Sequence, residues 1–198
     1  MQVNEIFYSI QGEGRHTGRA AVFIRFSKCN LKCHFCDTDF WPYSELNEDE
    51  IVDKVVKLGG NSTHVVITGG EPTLQLTETL CEKLHAAGKS IQIETNGTRV
   101  VPKGVDWVTC SPKFEFNLNA ELRIDRIDEL KLVYDCKNNM GLYEEIIEKY
   151  NPKYCYLQPC DLKDAKKNAE IIKDLVKYIQ KHPRWRISLQ THKILSLR

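Results

Sequence analysis

Short apolar segments alternate with amphipathic segments along most of the chain. Strands separated by helices favour a parallel sheet with crossover connections. We expect an α/β fold with about six mainly parallel strands, which are too few to close an eight-stranded barrel. A partial (β/α) barrel in a single domain over residues 1–198 is therefore expected, with strands at 19–27, 64–68, 90–94, 107–110, 129–133, 154–157 and 186–189 and helices at 47–58, 76–87, 141–150 and 165–181.

Polar or glycine-rich segments directly follow the predicted strands. In parallel α/β folds, ligands bind at the carboxyl ends of the strands. Several separate segments therefore point to one site: the cysteine loop at 29–36, GGEP at 69–72, ETNG at 94–97, SPK at 111–113, QPCD at 158–161 and QTHK at 190–193.

The charge balance gives no electrostatic case for nucleic-acid binding. The chain has 28 basic and 27 acidic residues, a formal net charge of +1, and no polybasic stripe. No apolar run approaches the ~20 residues of a membrane span. The first residues lack the charged and apolar regions of a signal peptide, so we expect a cytoplasmic protein without a membrane partner.

The eight cysteines do not suggest a disulfide framework. The chain is long, carries no secretion signal and is not rich in loops, so metal-bound or buried thiols fit better. Four cysteines lie in apolar strand or helix patterns and are expected to be small core residues: Cys81, Cys110, Cys136 and Cys155.

Three other cysteines form a C-x3-C-x2-C run at Cys29, Cys33 and Cys36. Full protein ligation of a four-iron cluster takes four cysteines, so three would leave one iron open to a small molecule. A zinc site completed by His34 or a distant cysteine is the alternative. The spacing differs from the C-x2-C pairs of common zinc knuckles and from the four-cysteine run of ferredoxins.

The cysteine run, with an aromatic Phe35 before its last cysteine, resembles the signature of the radical S-adenosylmethionine (SAM) superfamily. Gly69–Pro72 alone would be an ordinary turn, but after a strand it resembles the GGEP motif of that superfamily. The resemblance implies a [4Fe-4S] cluster whose open iron binds SAM. Reduction then cleaves SAM to a 5′-deoxyadenosyl radical that abstracts hydrogen from a substrate.

The resemblance also implies which residues contact SAM. The segment 94–97 is as well explained by a simple turn. The implied contacts lie in the cysteine loop and at three strand ends: Phe35, Cys36, Asp37, Gly70, Glu71, Ser111, Pro112, Lys113, Gln158, Pro159, Cys160 and Asp161.

QGEG at 11–14, CDTDF at 36–40 and QTHK at 190–193 are similar to segments of the 7-carboxy-7-deazaguanine synthase family. The resemblance implies a lyase of queuosine and deazapurine biosynthesis. It would convert 6-carboxy-5,6,7,8-tetrahydropterin to 7-carboxy-7-deazaguanine with loss of ammonia, and would ligate Mg2+ through Thr38. The implied substrate contacts are Ile10, Gln11, Gly12, Glu13, Arg25, Thr68, His192 and the C-terminal Arg198.

Some of these assignments have plain structural alternatives. Arg25 would otherwise be an outward-facing surface arginine, and His192 a structural histidine. The resemblance also implies a homodimer, the commonest closed symmetry, and an electron donor such as a flavodoxin or ferredoxin. Residues 113–126 match no motif, and we expect a helix or loop that covers the site.

Two other functions compete with the lyase. A small radical SAM activase, which installs a glycyl radical on a partner enzyme, shares the cysteine run but does not need QGEG or CDTDF. An iron–sulfur or zinc module without catalysis would need neither GGEP nor the other polar strand ends.

Overall fold

The computed structural model describes residues 1–34, 36, 38–39, 41–117 and 120–197. The strands form one sheet and are β1 Gln2–Ile10, β2 Ala20–Phe26, β3 Ser44–Glu45, β4 His64–Gly69, β5 Ser90–Thr95, β6 Trp107–Cys110, β7 Glu129–Tyr134, β8 Tyr154–Pro159 and β9 Trp185–Ile187. Their order across the sheet is β3-β1-β2-β4-β5-β6-β7-β8-β9.

The sheet is parallel except at one edge. Strands β2 and β4 to β9 run parallel, in the order expected for successive crossovers. Strand β1 pairs antiparallel with both β2 and β3. The predicted partial barrel of mainly parallel strands is therefore confirmed, and the antiparallel edge adds two strands that the sequence did not reveal.

Four helices connect the parallel strands: α1 Glu48–Gly59, α2 Glu78–Ala86, α3 Met140–Tyr150 and α4 Ala165–Lys181; a short α5, Thr191–Ile194, follows β9. The four predicted helices are confirmed to within two residues at each end. Helix α1 begins in a capping box, because the Asn47 side chain accepts from Glu50 N while the Glu50 side chain accepts from Asn47 N. Helix α4 begins at Asp164, whose side chain accepts from two backbone amides.

Both faces of the parallel sheet are buried, but only one is apolar. On β5, Ile91 and Ile93 join the hydrophobic core beneath the helices, while Gln92 between them is also buried. On β7, Leu130 and Leu132 lie in the core, whereas Glu129 and Lys131 are buried polar residues. Because successive side chains alternate between faces, the opposite face of the sheet is a buried polar surface.

The loop between β1 and β2, residues 11–19, lies against this polar face, and we call it the plug loop. Its Gly14 N donates to Ser188 Oγ at 3.1 Å, and its Arg15 N donates to Glu129 Oε2 at 3.0 Å. His16 Nδ1 lies 2.8 Å from Gln92 Oε1. The plug loop thereby joins the first hairpin to the last strands. One hydrophobic core serves the whole sheet, which supports the proposal of a single domain.

The structure corrects one expectation about the cysteines. Cys81, Cys110 and Cys155 are buried as expected, but Cys136 is exposed. Strand β7 ends at Tyr134, so Cys136 falls in the following turn, where its φ is 68°. The prediction that Cys136 is a core residue was wrong because the apolar pattern of β7 does not extend that far.

Residues 113–117 and 120–126 form no helix or strand, so the described part of this segment is a loop. Glu115 attaches it to the start of α3, where it accepts from Asn139 N at 2.6 Å and from Tyr143 Oη at 2.6 Å. A search of the described residues found no helix that is both long and apolar enough to cross a bilayer.

Candidate active site

The carboxyl ends of the parallel strands surround a cavity of about 290 Å³. We call it the cysteine cavity because Cys29, Cys33 and Cys36 all line it. Most of the other described lining residues come from the ends of β4 to β8 and include Gly70, Asn96, Ser111, Lys113, Gln158, Pro159, Cys160 and Asp161. The convergence expected from the sequence pattern therefore exists in the structure.

A second cavity of about 630 Å³ adjoins the first and is lined by the β1–β2 hairpin, so we call it the hairpin cavity. Its lining residues include Ile10, Gln11, Gly12, Arg25, Thr68 and His192. Of the described residues, five line both cavities: Glu13, Thr38, Gly69, Glu94 and Gln190. These five form a shared boundary, so ligands in the two cavities would lie side by side.

The described candidate residues divide between the two cavities as the resemblance grouped them. Among those expected to contact SAM, only Glu71 and Pro112 of the described ones line neither cavity. Three candidates lie outside the described residues: Phe35, Asp37 and Arg198.

The cysteine cavity suits a cationic cluster. Burial raises the pKa of the Cys29 and Cys33 thiols, and the neighbouring cysteines raise both further. A thiolate there needs a nearby positive centre, which iron supplies. The described residues include no group of three His, Cys, Asp or Glu side chains placed to hold one ion. A four-iron cluster binds each thiolate to a different iron, so the fit depends on the cavity that the three cysteines share.

The glycine-rich turn presses directly on the cysteine loop. Gly70 N donates to Phe26 O at 3.1 Å, and Glu71 N donates to Lys28 O at 2.9 Å, beside Cys29. A Cβ at Gly70 would clash with the carbonyl of Lys28. Glycine is required here because two backbone segments approach more closely than any side chain permits.

The Glu71 carboxylate has a structural task. Glu71 is fully buried, and its Oε1 accepts from Thr73 N at 3.0 Å and from Thr95 Oγ1 at 2.7 Å. Its Oε2 accepts from Asn96 N at 2.7 Å. The side chain therefore joins GGEP to the segment after β5. It fixes the backbone of the strand ends, which is a different contribution from lining the cavity.

Arg25 faces the hairpin cavity and does not point outward to solvent. Its Nε donates to Glu5 Oε1 at 2.9 Å, and its guanidinium carbon lies 5.9 Å from the centre of the Phe7 ring. Its side chain is 25% exposed. Arg25 lies on β2 opposite Thr68 of β4. A planar guanidinium held at a cavity wall is suited to bind a carboxylate.

The segment after β9 closes over the plug loop. Thr191 donates to Gly12 O from both its N and its Oγ1, each at 3.0 Å. A Cβ at Gly12 would clash with the His192 ring. His192 is therefore held against the QGEG segment, at the wall of the hairpin cavity.

A buried lysine connects the boundary residues. Lys131 Nζ donates to Glu94 Oε2 at 2.5 Å and also to Glu13 Oε2. Burial alone would raise the pKa of Glu13, but Lys131 and Gln190 outweigh it and lower that pKa to about 2. Burial alone would lower the pKa of Lys131, but the two carboxylates outweigh it and raise that pKa. Glu13 and Lys131 are thus both charged at neutral pH.

Sequence analysis missed Lys131 and left Glu94 undecided. A charged residue within the apolar strand Glu129–Tyr134 was the available signal, because lysine is rarely buried unless it is paired. It also missed Gln190 as a boundary residue, although QTHK had been noted. The Gln190 Nε2 donates to Glu13 Oε1 at 2.9 Å.

The fold and the cysteine cavity define a class of protein. Residues 23–113 match the model of the Radical SAM superfamily. The chain is a radical SAM protein, with a [4Fe-4S] cluster and SAM as its cofactors.

Relatives of known name narrow the class. The chain is 47% identical to 7-carboxy-7-deazaguanine synthase from Bacteroides thetaiotaomicron, over 100% of this chain and 98% of the relative. It is 41% identical to the synthase from Nitratidesulfovibrio vulgaris, over 99% and 98%. The crystal structure of QueE from Escherichia coli matches with a TM-score of 0.80 and 27% identity, covering 95% of this chain and 92% of that one. The chain therefore belongs to the 7-carboxy-7-deazaguanine synthase family.

We predict that Gly70→Ala blocks cluster assembly while the helices still form. The added Cβ must displace Lys28 O and with it the start of the cysteine loop. After anaerobic reconstitution, iron and sulfide content should fall to less than about a tenth of wild type, because loop geometry sets the thiolate positions. Gly141→Ala, at the start of α3, is the matched control and should assemble normally. A full cluster in Gly70→Ala would contradict the prediction.

We predict that Glu129 makes stability depend on pH. Burial raises its pKa from 4.5 to about 7, although Lys131 and Arg15 N oppose the shift. The folded state keeps a proton that the unfolded chain releases, so stability falls as pH rises from about 4.5 to 7. Glu129→Gln removes that loss and should gain on the order of 1–3 kcal/mol over wild type at pH 8, but not at pH 5.

Unfolding free energies from urea titrations at both pH values measure this effect. Glu121→Gln is the control, because Glu121 is exposed and its carboxylate pairs with Arg123, which is also exposed. An advantage of Glu129→Gln that is equal at pH 5 and pH 8 would refute the assignment.

Proposed function

We propose that this chain converts 6-carboxy-5,6,7,8-tetrahydropterin to 7-carboxy-7-deazaguanine with loss of ammonia, in queuosine and related deazapurine biosynthesis. The observation that carries the proposal is the boundary that two cavities share: the cysteine cavity, with its three cysteines, and the hairpin cavity, with Arg25 in its wall. The family name of the relatives agrees with it.

The cluster and SAM, when bound, supply a radical that abstracts a hydrogen atom. Cys29, Cys33 and Cys36 would hold the cluster. The backbone at Gly70 and the residues after β6 and β8 would hold SAM in the cysteine cavity. Exposed N–H and C=O groups can pair with its carboxylate and ammonium groups.

The hairpin cavity supplies groups of the kind that a carboxypterin needs. Arg25 would bind the substrate carboxylate bidentately. Gln11 and Glu13 present amide and carboxylate groups to the donor and acceptor edge of the ring. Glu5 orients the Arg25 guanidinium through the 2.9 Å ion pair. His192 would close the cavity from the segment after β9.

Thr38 would help to bind Mg2+ between the substrate and the cysteine loop. It lines both cavities, where a hydroxyl oxygen and the oxygens of a carboxylate substrate can share a hard cation. The cation would fix the substrate at the boundary beside SAM.

The cellular setting is also a proposal. A cluster with an open iron needs a reducing compartment, which supports the cytoplasm. Its reduction requires an electron donor such as a flavodoxin or ferredoxin. A homodimer is proposed because two-fold symmetry is the commonest closed assembly.

The test is anaerobic reconstitution with iron and sulfide, followed by addition of a reductant, SAM, Mg2+ and the pterin. We expect 7-carboxy-7-deazaguanine, identified by mass spectrometry, and no activation of a glycyl-radical enzyme. The activase is disfavoured by the carboxylate-binding residues of the hairpin cavity. Formation of 5′-deoxyadenosine without any deazaguanine product would overturn the lyase assignment.

We predict that Cys33→Ala abolishes product formation by preventing cluster assembly. Two thiolates are too few to retain a four-iron cluster whose open iron binds SAM. Iron content and the visible absorbance after reconstitution measure the effect. Cys136→Ala, at the exposed cysteine after β7, is the matched control and should retain both. A fully assembled cluster in Cys33→Ala would rule out the ligand assignment.

We predict that Thr38→Ala weakens the response to Mg2+ while leaving the cluster intact. Removing one oxygen ligand should raise the Mg2+ concentration for half-maximal activity by roughly tenfold. Titration of product formation with Mg2+ measures the shift, and Thr63→Ala before β4 is the control. If Thr38→Ala and wild type share one Mg2+ curve, Thr38 is not a ligand.

A further inference from the structure

Lys131 is buried where three separate elements meet. Its side chain is 6% exposed, and it projects from β7 toward Glu94 of β5 and Glu13 of the plug loop. Both carboxylates accept a hydrogen bond from the same ammonium group. One charge thus ties the first hairpin to the centre of the sheet.

The contact belongs to a closed hydrogen-bonded ring of four residues, Gln11, Glu13, Glu94 and Lys131, which we call the Lys131 ring. Gln11 Nε2 donates to Glu94 Oε1 at 2.8 Å, and Glu13 N donates to Gln11 Oε1 at 3.2 Å. Lys131 closes the ring between Glu94 and Glu13. Because Glu13 and Glu94 line both cavities, the ring forms part of the shared boundary.

The ring carries two negative charges and one positive charge. Without the ammonium, two carboxylates would share a poorly solvated space, and like charges there disfavour joint ionisation. One carboxylate would take up a proton or the two would move apart. Either change alters the hydrogen-bonding groups offered to a ligand at the boundary.

We propose that Lys131 is a positioning residue that holds the Glu13 and Glu94 carboxylates in register at the boundary, where they bind the pterin ring. The inference rests on the proposed function and adds to it a residue that does not need to touch the substrate. Lys131 donates directly to both carboxylates. Gln11, the fourth member of the ring, contacts Glu94 and Glu13 but not Lys131 within the ring.

Other charged groups also face the ring. Glu129 lies on the same strand and senses Lys131, and Lys113, after β6, is a second buried cation nearby. His192 of α5 acts on Glu13. Burial raises the pKa of Glu129 to about 7 and Lys131 opposes that shift, so the pH comparison is made between Glu129→Gln and Glu129→Gln/Lys131→Met.

The test is Lys131→Met in the reconstituted enzyme with SAM, Mg2+ and the pterin. We expect the KM for the pterin to rise roughly 10- to 100-fold at pH 8, the range for loss of hydrogen bonds to charged groups. The increase should be larger at pH 6, where one of the two carboxylates, no longer faced by the ammonium, takes up a proton and stops offering the acceptor that the pterin needs. Lys153→Met, at an exposed ion pair with Asp128, is the matched control.

A second variant separates positioning from folding. Removing one partner of a buried ion pair destabilises a protein, whereas removing both charges is often tolerated. Lys131→Met/Glu94→Gln should therefore restore thermal stability and cluster content while the pterin KM stays high at both pH values. Circular dichroism and iron content verify that the variants are folded and loaded.

The outcomes distinguish the two claims. If wild type forms no deazaguanine product, the proposed function fails, and equilibrium binding of 6-carboxypterin at pH 6 and pH 8 still compares Lys131→Met with wild type. If wild type forms product and Lys131→Met has the same KM and the same pH profile, the positioning role is wrong. A loss of stability with an unchanged KM would also overturn it.

Discussion

The two cavities and their shared boundary depend on how the open sheet covers its buried polar face. A partial barrel leaves that face without the strands that would complete it, and buried polar groups must find partners. The plug loop and the segment after β9 provide these partners. Backbone amides of the plug loop donate to Ser188 and to Glu129, and the plug loop also takes part in the Lys131 ring. The same contacts therefore cover the polar face of the sheet and form the boundary between the two cavities.

A buried polar group also fixes the backbone at the cysteine cavity. The Glu71 carboxylate accepts hydrogen bonds from Asn96 N and Thr95 Oγ1, and Glu71 N donates to Lys28 O. This leaves the Gly70 backbone free to face the cysteine cavity, beside the three thiols and the polar residues after β6 and β8. A rigid backbone at the strand ends suits a site where the cofactor performs the chemistry and the protein positions it.

The sequence predicted most of the fold and many of the residues that line the two cavities, and its failures have physical causes. Apolar periodicity revealed the parallel strands and four helices, but β1 was not predicted, because only Val3 and Phe7 of its nine residues are buried and they form no regular alternation. The strand-end motifs placed Gly70, Lys113 and Gln158 at one cavity. Lys131 was missed because its pairing with Glu13 joins residues 118 positions apart, which local pattern cannot show.

The central claim is that the pterin lies beside SAM across the boundary formed by Glu13, Thr38 and Glu94. The resemblance to the family implies that the adenosyl radical takes the hydrogen at C6 of the pterin and that SAM is regenerated at the end. Deuterium placed at C6 therefore reports on the claim most directly, because hydrogen abstraction requires the reacting atoms to be in contact. The account predicts that mass spectrometry finds deuterium in recovered SAM as product accumulates. Product formation with unlabelled SAM, and with the deuterium in solvent, would contradict it.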